Sequence, residues 1–175
     1  MSFTRGITFI ALGHLLLILT GSLRALLPVG LPVPEVTLIV VLYLGLGGRG
    51  APSAHAGVAL IMGYLTDLMS GAPRGLHALS FVIVMLLARA GASRLMVSRV
   101  WQEMVVTFAV ALGHGALVVA LASPMYEGEA LSALRQVPAS ALMTGVIVAP
   151  ILFRFLRRVD RKLAPDPRTL RMPGA

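Results

Sequence analysis

The amino-acid sequence predicts an all-α membrane protein, a single bundle of six transmembrane helices with both termini in the cytoplasm. Charge content is the first reason: 13% of the 175 residues are charged, about half the ~25% typical of soluble domains. Long apolar runs are the second. Residues 7–23 and 104–126 hold histidine but no Asp, Glu, Lys or Arg, which is the pattern of a chain that meets hydrocarbon. The third is where the cations fall. In a six-span arrangement with the N-terminus inside, Arg5, Arg49, Arg89, Arg94, Arg99 and the seven basic residues after Phe153 lie in the cytoplasm. Only Arg24, Arg74 and Arg135 lie outside, as the positive-inside rule requires.

The first span, 7–27, follows Arg5 and outlasts the apolar core of a secretory signal, so it is expected to remain as an anchor. Pro28, Pro32 and Pro34 punctuate the approach to the second span, 34–47. That run is short, covering about 21 Å of a ~30 Å hydrocarbon core. A re-entrant segment is the alternative there, but it would send the basic tail to the wrong side, and charge parity decides for a span. Gly47, Gly48, Gly50 and Pro52 precede the third span, 54–70, and Gly71, Pro73 and Gly75 turn the chain into the fourth, 76–90. Arg89 can close that helix by snorkelling to the interface. The fifth span, 100–123, stops at Pro124. Pro138 marks the opening of the sixth, 137–156, where Pro150 predicts a kink. Residues 157–175 form a basic cytoplasmic tail, and no internal repeat or second domain is expected.

The composition also excludes chemistry. With no Cys there is no disulfide, thiolate metal site or cysteine nucleophile. The net charge of +8 is spread over short gaps and the tail rather than a soluble basic face, which argues against nucleic-acid binding. There is no zincin motif, nucleophile elbow or phosphate-binding glycine loop. Asp67 and Glu103 fall at opposite ends of their spans and cannot work as a carboxylate pair. No catalytic site, cofactor or metal is expected.

Some residues are costly to bury. Arg24, Glu35, Asp67 and Arg74 share the outer side and suggest a paired charge network, because an isolated intramembrane charge is expensive. The plainer reading is that each marks a water-facing boundary, and for Arg24 and Glu35 that reading leads. Asp67 is expected to be structural, capping backbone N–H groups of the following turn or of the fourth helix. His14 and His114 lie within spans at different depths, with no carboxylate at either depth, and read as interhelical hydrogen-bonding groups rather than a relay or metal pair. His55 and His77 begin their spans and are expected to reach interfacial water. Gly145-xxx-Ala149 and Ala109-xxx-Gly113 have the spacing that lets helices approach closely. In the tail, Phe155, Leu156, Val159 and Leu163 form an apolar stripe amid Arg154, Arg157, Arg158, Arg161 and Lys162. This is an amphipathic helix suited to anionic lipid, each cation contributing roughly 1 kcal/mol; a cytoplasmic protein is the other candidate.

Two stretches resemble the MreD family of bacterial rod-shape-determining membrane proteins. Pro34-Glu-Val-Thr-Leu-Ile-Val-Val-Leu-Tyr-Leu-Gly-Leu46 is similar to the family's Pro-led second span, with Tyr43 in its Tyr-Leu ending. Gly63-Tyr-Leu-Thr-Asp-Leu-Met-Ser-Gly71, followed by Gly75-Leu-His-Ala-Leu79, is similar to its best-marked segment. The family positions are Pro34, Tyr43, Gly63, Asp67, Ser70, Gly71, Gly75 and His77. Arg74 departs from the pattern, since the family often has an apolar residue there. The resemblance runs from Pro34 to the fifth span; the first and last spans match in character only. It implies a non-catalytic inner-membrane scaffold of the elongation machinery. Such a scaffold partners MreC and acts alongside RodA, its class B transpeptidase and MreB in side-wall peptidoglycan synthesis. The competing class is the substrate-binding S-component of an energy-coupling-factor vitamin transporter, of similar size and span number and with a fold that MreD-like chains are expected to share. Against it stand the absence of an Ala-xxx-Ala repeat in the first span and the scarcity of aromatics, one Trp and three Tyr. A small proton or ion channel built on His14 and His114 is a third, weaker candidate.

Overall fold

The computed structural model describes residues 3–26, 32–47, 51–92, 99–123 and 130–163. The end of the first expected span, Arg49, Arg94 and the tail beyond residue 163 lie outside these. Within them the fold is all-helical: α1 (Phe3–Leu26), α2 (Val36–Gly47), α3 (Pro52–Ser70), α4 (Leu76–Ala92), α5 (Val100–Ala122), α6 (Ala130–Leu142) and α7 (Ala149–Lys162). A π-helical turn, Met143–Val148, joins α6 to α7, so the last three elements form one rod and the bundle has six.

Local chemistry sets the ends. Pro52 opens α3, where a missing N–H costs nothing. Gly71, at φ 69°, closes it in the left-handed region that Cβ-bearing residues avoid. Gly75, at φ 95°, delivers the chain into α4. The N–H of Arg99 donates to the Gln102 side chain at 3.1 Å, satisfying a donor at the start of α5.

One expectation about proline changes. Pro138 does not mark an opening: it lies inside α6, which already starts at Ala130. Pro150 sits in the first turn of α7, directly after the π-turn. A helical proline clashes with the carbonyl four residues before it, and the wider π-turn relieves that crowding.

The architecture is organised around the short helix. All ten residues from Val36 to Gly45 are buried, and Leu38 to Leu42 are wholly inaccessible. The α3–α4 hairpin packs on α2 from one side; α5, the π-turn and α7 pack from the other; α1 closes the remaining face against α2 and α3. With protein on every side, α2 need not match the thickness of a lipid bilayer, so twelve residues, about 18 Å, suffice.

The outer helices differ. α1, α5 and the rod Ser132–Lys162 are long and apolar enough to cross a membrane. They expose large apolar side chains such as Leu15, Val105 and Ile151. In water such faces would be costly; in lipid they are the expected surface.

Glycine permits the closest approaches. A Cβ on Gly63 would lie 2.6 Å from the backbone N of Ala78, and one on Gly145 would lie 2.7 Å from the Cα of Phe108. At Gly113 it would meet nothing within 4 Å, so the Ala109-xxx-Gly113 pair faces outward while Gly145-xxx-Ala149 packs.

Candidate functional site

The polar side chains gather at the two ends of the bundle. At the end where α3 turns into α4, Asp67 is 2% exposed. Its carboxylate accepts the backbone N–H of Gly75 and of His77, both at 2.8 Å, and that of Ala78 at 3.4 Å. It also contacts the Nδ1 of His77 at 2.9 Å. A carboxylate can only accept, so this nitrogen carries the hydrogen. Asp67 thus works as an N-cap for α4 reached from the preceding helix, satisfying donors that a helix start leaves orphaned. Ser70 makes a weaker contact in the same turn, accepting from Ala72 N at 3.4 Å.

The network continues inward. The His77 ring stands 5.9 Å from that of His114, and Phe81 flanks both. His114 Nε2 lies 3.5 Å from Glu35 Oε2. The Glu35 N–H donates to Thr144 Oγ1 at 2.9 Å, and Thr144 donates to the carbonyl of Ser140 at 2.7 Å. Asp67, His77, His114, Glu35 and the π-turn's Thr144 thus form a chain of contacts across α3, α4, α5, the residue before α2 and the π-turn. His114 does have a carboxylate at its depth, contrary to expectation. Glu35 stands just before α2, with 37% of its side chain exposed, and reaches His114 from that end of the bundle.

Arg24 and Arg74 do not join this cluster. Both are exposed, and among the described residues neither pairs with Glu35 or Asp67. The structure thus brings Glu35 and Asp67 together through two histidines and not through two guanidiniums.

The opposite end carries the start of α1, α3 and α5 and the end of α2, α4 and α7. Arg5 Nε meets Asp160 Oδ1 at 2.7 Å, and the Tyr43 hydroxyl donates to Asp160 Oδ2 at 3.2 Å. Arg5 also lies over the ring of Phe9, which stacks on Tyr43, which in turn meets Phe153 edge-on. Arg157 pairs with Glu103, whose side chain is 1% exposed. These contacts clasp the first, second, fifth and last helices.

Arg157 pairs with Glu103 yet keeps 43% of its side chain exposed, and Arg154, Arg158, Arg161 and Lys162 are exposed along the same helix. One expectation is corrected here. His55, in the first turn of α3, is wholly inaccessible rather than interfacial. Pro34 accepts the Val36 N–H at 3.1 Å in the turn that opens α2. His14, half-buried on α1, joins neither network among the described residues. No group of three His, Asp or Glu side chains there could hold a metal ion.

Arg5, Glu103, Thr144 and Asp160 are the residues that sequence reasoning missed. A signal did exist. The chain has only seven acidic residues, and all four in the described segments (Glu35, Asp67, Glu103 and Asp160) contact a cationic or imidazole side chain. In a bundle this apolar, each carboxylate needs a partner.

This arrangement defines an all-helical membrane protein whose charged groups hold its own helices together. The family model for the rod shape-determining protein MreD matches residues 3–159, and the chain belongs to the MreD family. No curated protein and no solved structure matches it.

Proposed function

We propose that the chain is a non-catalytic scaffold of the cell-elongation machinery. It crosses the bacterial cytoplasmic membrane six times, with both termini in the cytoplasm. It binds MreC and, within a larger assembly containing RodA, its class B transpeptidase and MreB, helps to organise side-wall peptidoglycan synthesis. Family membership supports the rod-shape role. The observation that carries the scaffold reading is the use made of the carboxylates: among the described ones, Asp67, Glu103 and Asp160 each tie one part of the bundle to another, and Glu35 lies beside His114. Among the described residues the outer helices expose a broad apolar surface, which suits packing against a transmembrane helix such as that of MreC.

The test is purification of the tagged chain from its native membrane in mild detergent, with mass spectrometry of co-purifying proteins. Recovery of MreC, with RodA or its transpeptidase, is the expected result. Recovery of paired ATPases with a coupling membrane subunit would replace the scaffold by a transporter component.

A further inference from the structure

We propose that Glu35 and His114 form a binding site for a primary ammonium group, carried by a phosphatidylethanolamine headgroup or by a free amine, at the end of the bundle where α2 begins. The described carboxylates are not equally used. Asp67 accepts the N–H groups of Gly75 and His77, Asp160 is held by Arg5 and Tyr43, and Glu103 is held by Arg157. The Glu35 carboxylate accepts no hydrogen bond among the described residues. Its Oε2 is shut off from solvent, yet 37% of the side chain is accessible, so the carboxylate is reached from one side only.

The imidazole beside it is unused as well. The His114 side chain is 1% exposed and its Nε2 stands 3.5 Å from Glu35 Oε2, longer than an ordinary N–H···O bond. Its Nδ1 has no hydrogen-bond partner either, although buried polar side chains normally find one. The backbone adds acceptors rather than donors. Pro32 and Pro34 lead to Glu35 with carbonyls but no N–H, and the N–H of Glu35 is already given to Thr144. A primary ammonium complements that set, with three donors, no acceptor and one positive charge for the carboxylate. The site is a junction of elements rather than one helix face. Glu35 precedes α2, His114 lies on α5, and Phe81 of α4 backs the imidazole with ring centroids 5.2 Å apart. The inference goes beyond the scaffold reading and does not depend on it.

Native mass spectrometry of the full chain, titrated with phosphatidylethanolamine, phosphatidylcholine and ethanolamine, tests it. Phosphatidylcholine carries the same headgroup charges but no N–H. The site predicts one saturable phosphatidylethanolamine, with phosphatidylcholine at least about tenfold weaker, the loss of one charged hydrogen bond. Glu35→Gln should abolish that preference and leave phosphatidylcholine binding unchanged. Because the carboxylate holds no hydrogen bond, this variant should melt with the parent chain, and the headgroup comparison itself needs no variant. Displacement of the lipid by millimolar ethanolamine would assign the site to a free amine; retention of the lipid would assign it to the headgroup. Equal binding of the two lipids with no uptake of ethanolamine would overturn the site, as would a preference that survives Glu35→Gln.

Discussion

Asp67 meets three backbone N–H groups and one imidazole N–H while almost wholly buried. Replacement by Asn keeps one acceptor oxygen but turns an NH2 toward donors, and is expected to cost about 2 kcal/mol. It should appear as a melting temperature several degrees lower in detergent, with Asp67→Ala lower still. The Glu103–Arg157 pair makes a sharper, asymmetric prediction. Arg157 is 43% exposed at its side chain and can turn to solvent, whereas Glu103 cannot. Arg157→Gln strands a buried carboxylate and should cost about 3–5 kcal/mol. Glu103→Gln should cost about 1 kcal/mol. The double variant should recover most of the loss of Arg157→Gln, and thermal melting of the four proteins measures all three terms.

Glycine decides the spacing of the elements. Gly63→Ala sets a Cβ against the backbone of His77 and Ala78. Backbone cannot yield as a flexible side chain does, so α3 and α4 must part and the Asp67 cap must lengthen with them. A loss of about 2 kcal/mol or more is expected. Gly57 on the same helix has nothing within 4 Å of its Cβ position. Gly57→Ala should therefore be neutral or stabilise by up to about 1 kcal/mol, from helix propensity alone. Opposite signs at two glycines six residues apart, read by chemical or thermal unfolding, would separate packing from propensity.

For the whole molecule, six antiparallel rods place residue 3 and residue 163 at the same end. The proposed orientation puts that end in the cytoplasm. Alkaline phosphatase fused after residue 163 should accordingly be inactive, and one inserted in the 71–75 turn active. Much of this architecture could be read from hydropathy and charge parity, because helix number and order depend on local composition. The Asp67 cap on the backbone at the start of α4 was legible for a related reason: acceptor and donors flank one turn. Tyr43 and Asp160 stand 117 residues apart, and Glu103 and Arg157 stand 54 apart. Hydropathy places each span but not which face it turns to its neighbours, so it could not bring these partners together. Nor could it show His114 beside Glu35, since the two residues lie 79 apart in sequence and on different elements.

The enclosure of α2 also bears on how the protein is made. Twelve residues span too little hydrocarbon to settle as an isolated membrane helix. The elements that cover it, α4, α5 and α7, emerge from the ribosome after it does. α2 is therefore expected to be enclosed on every side only once α7 has been delivered. A chain stopped short of α7 would lack the clasp to Asp160 as well as one wall of the seat.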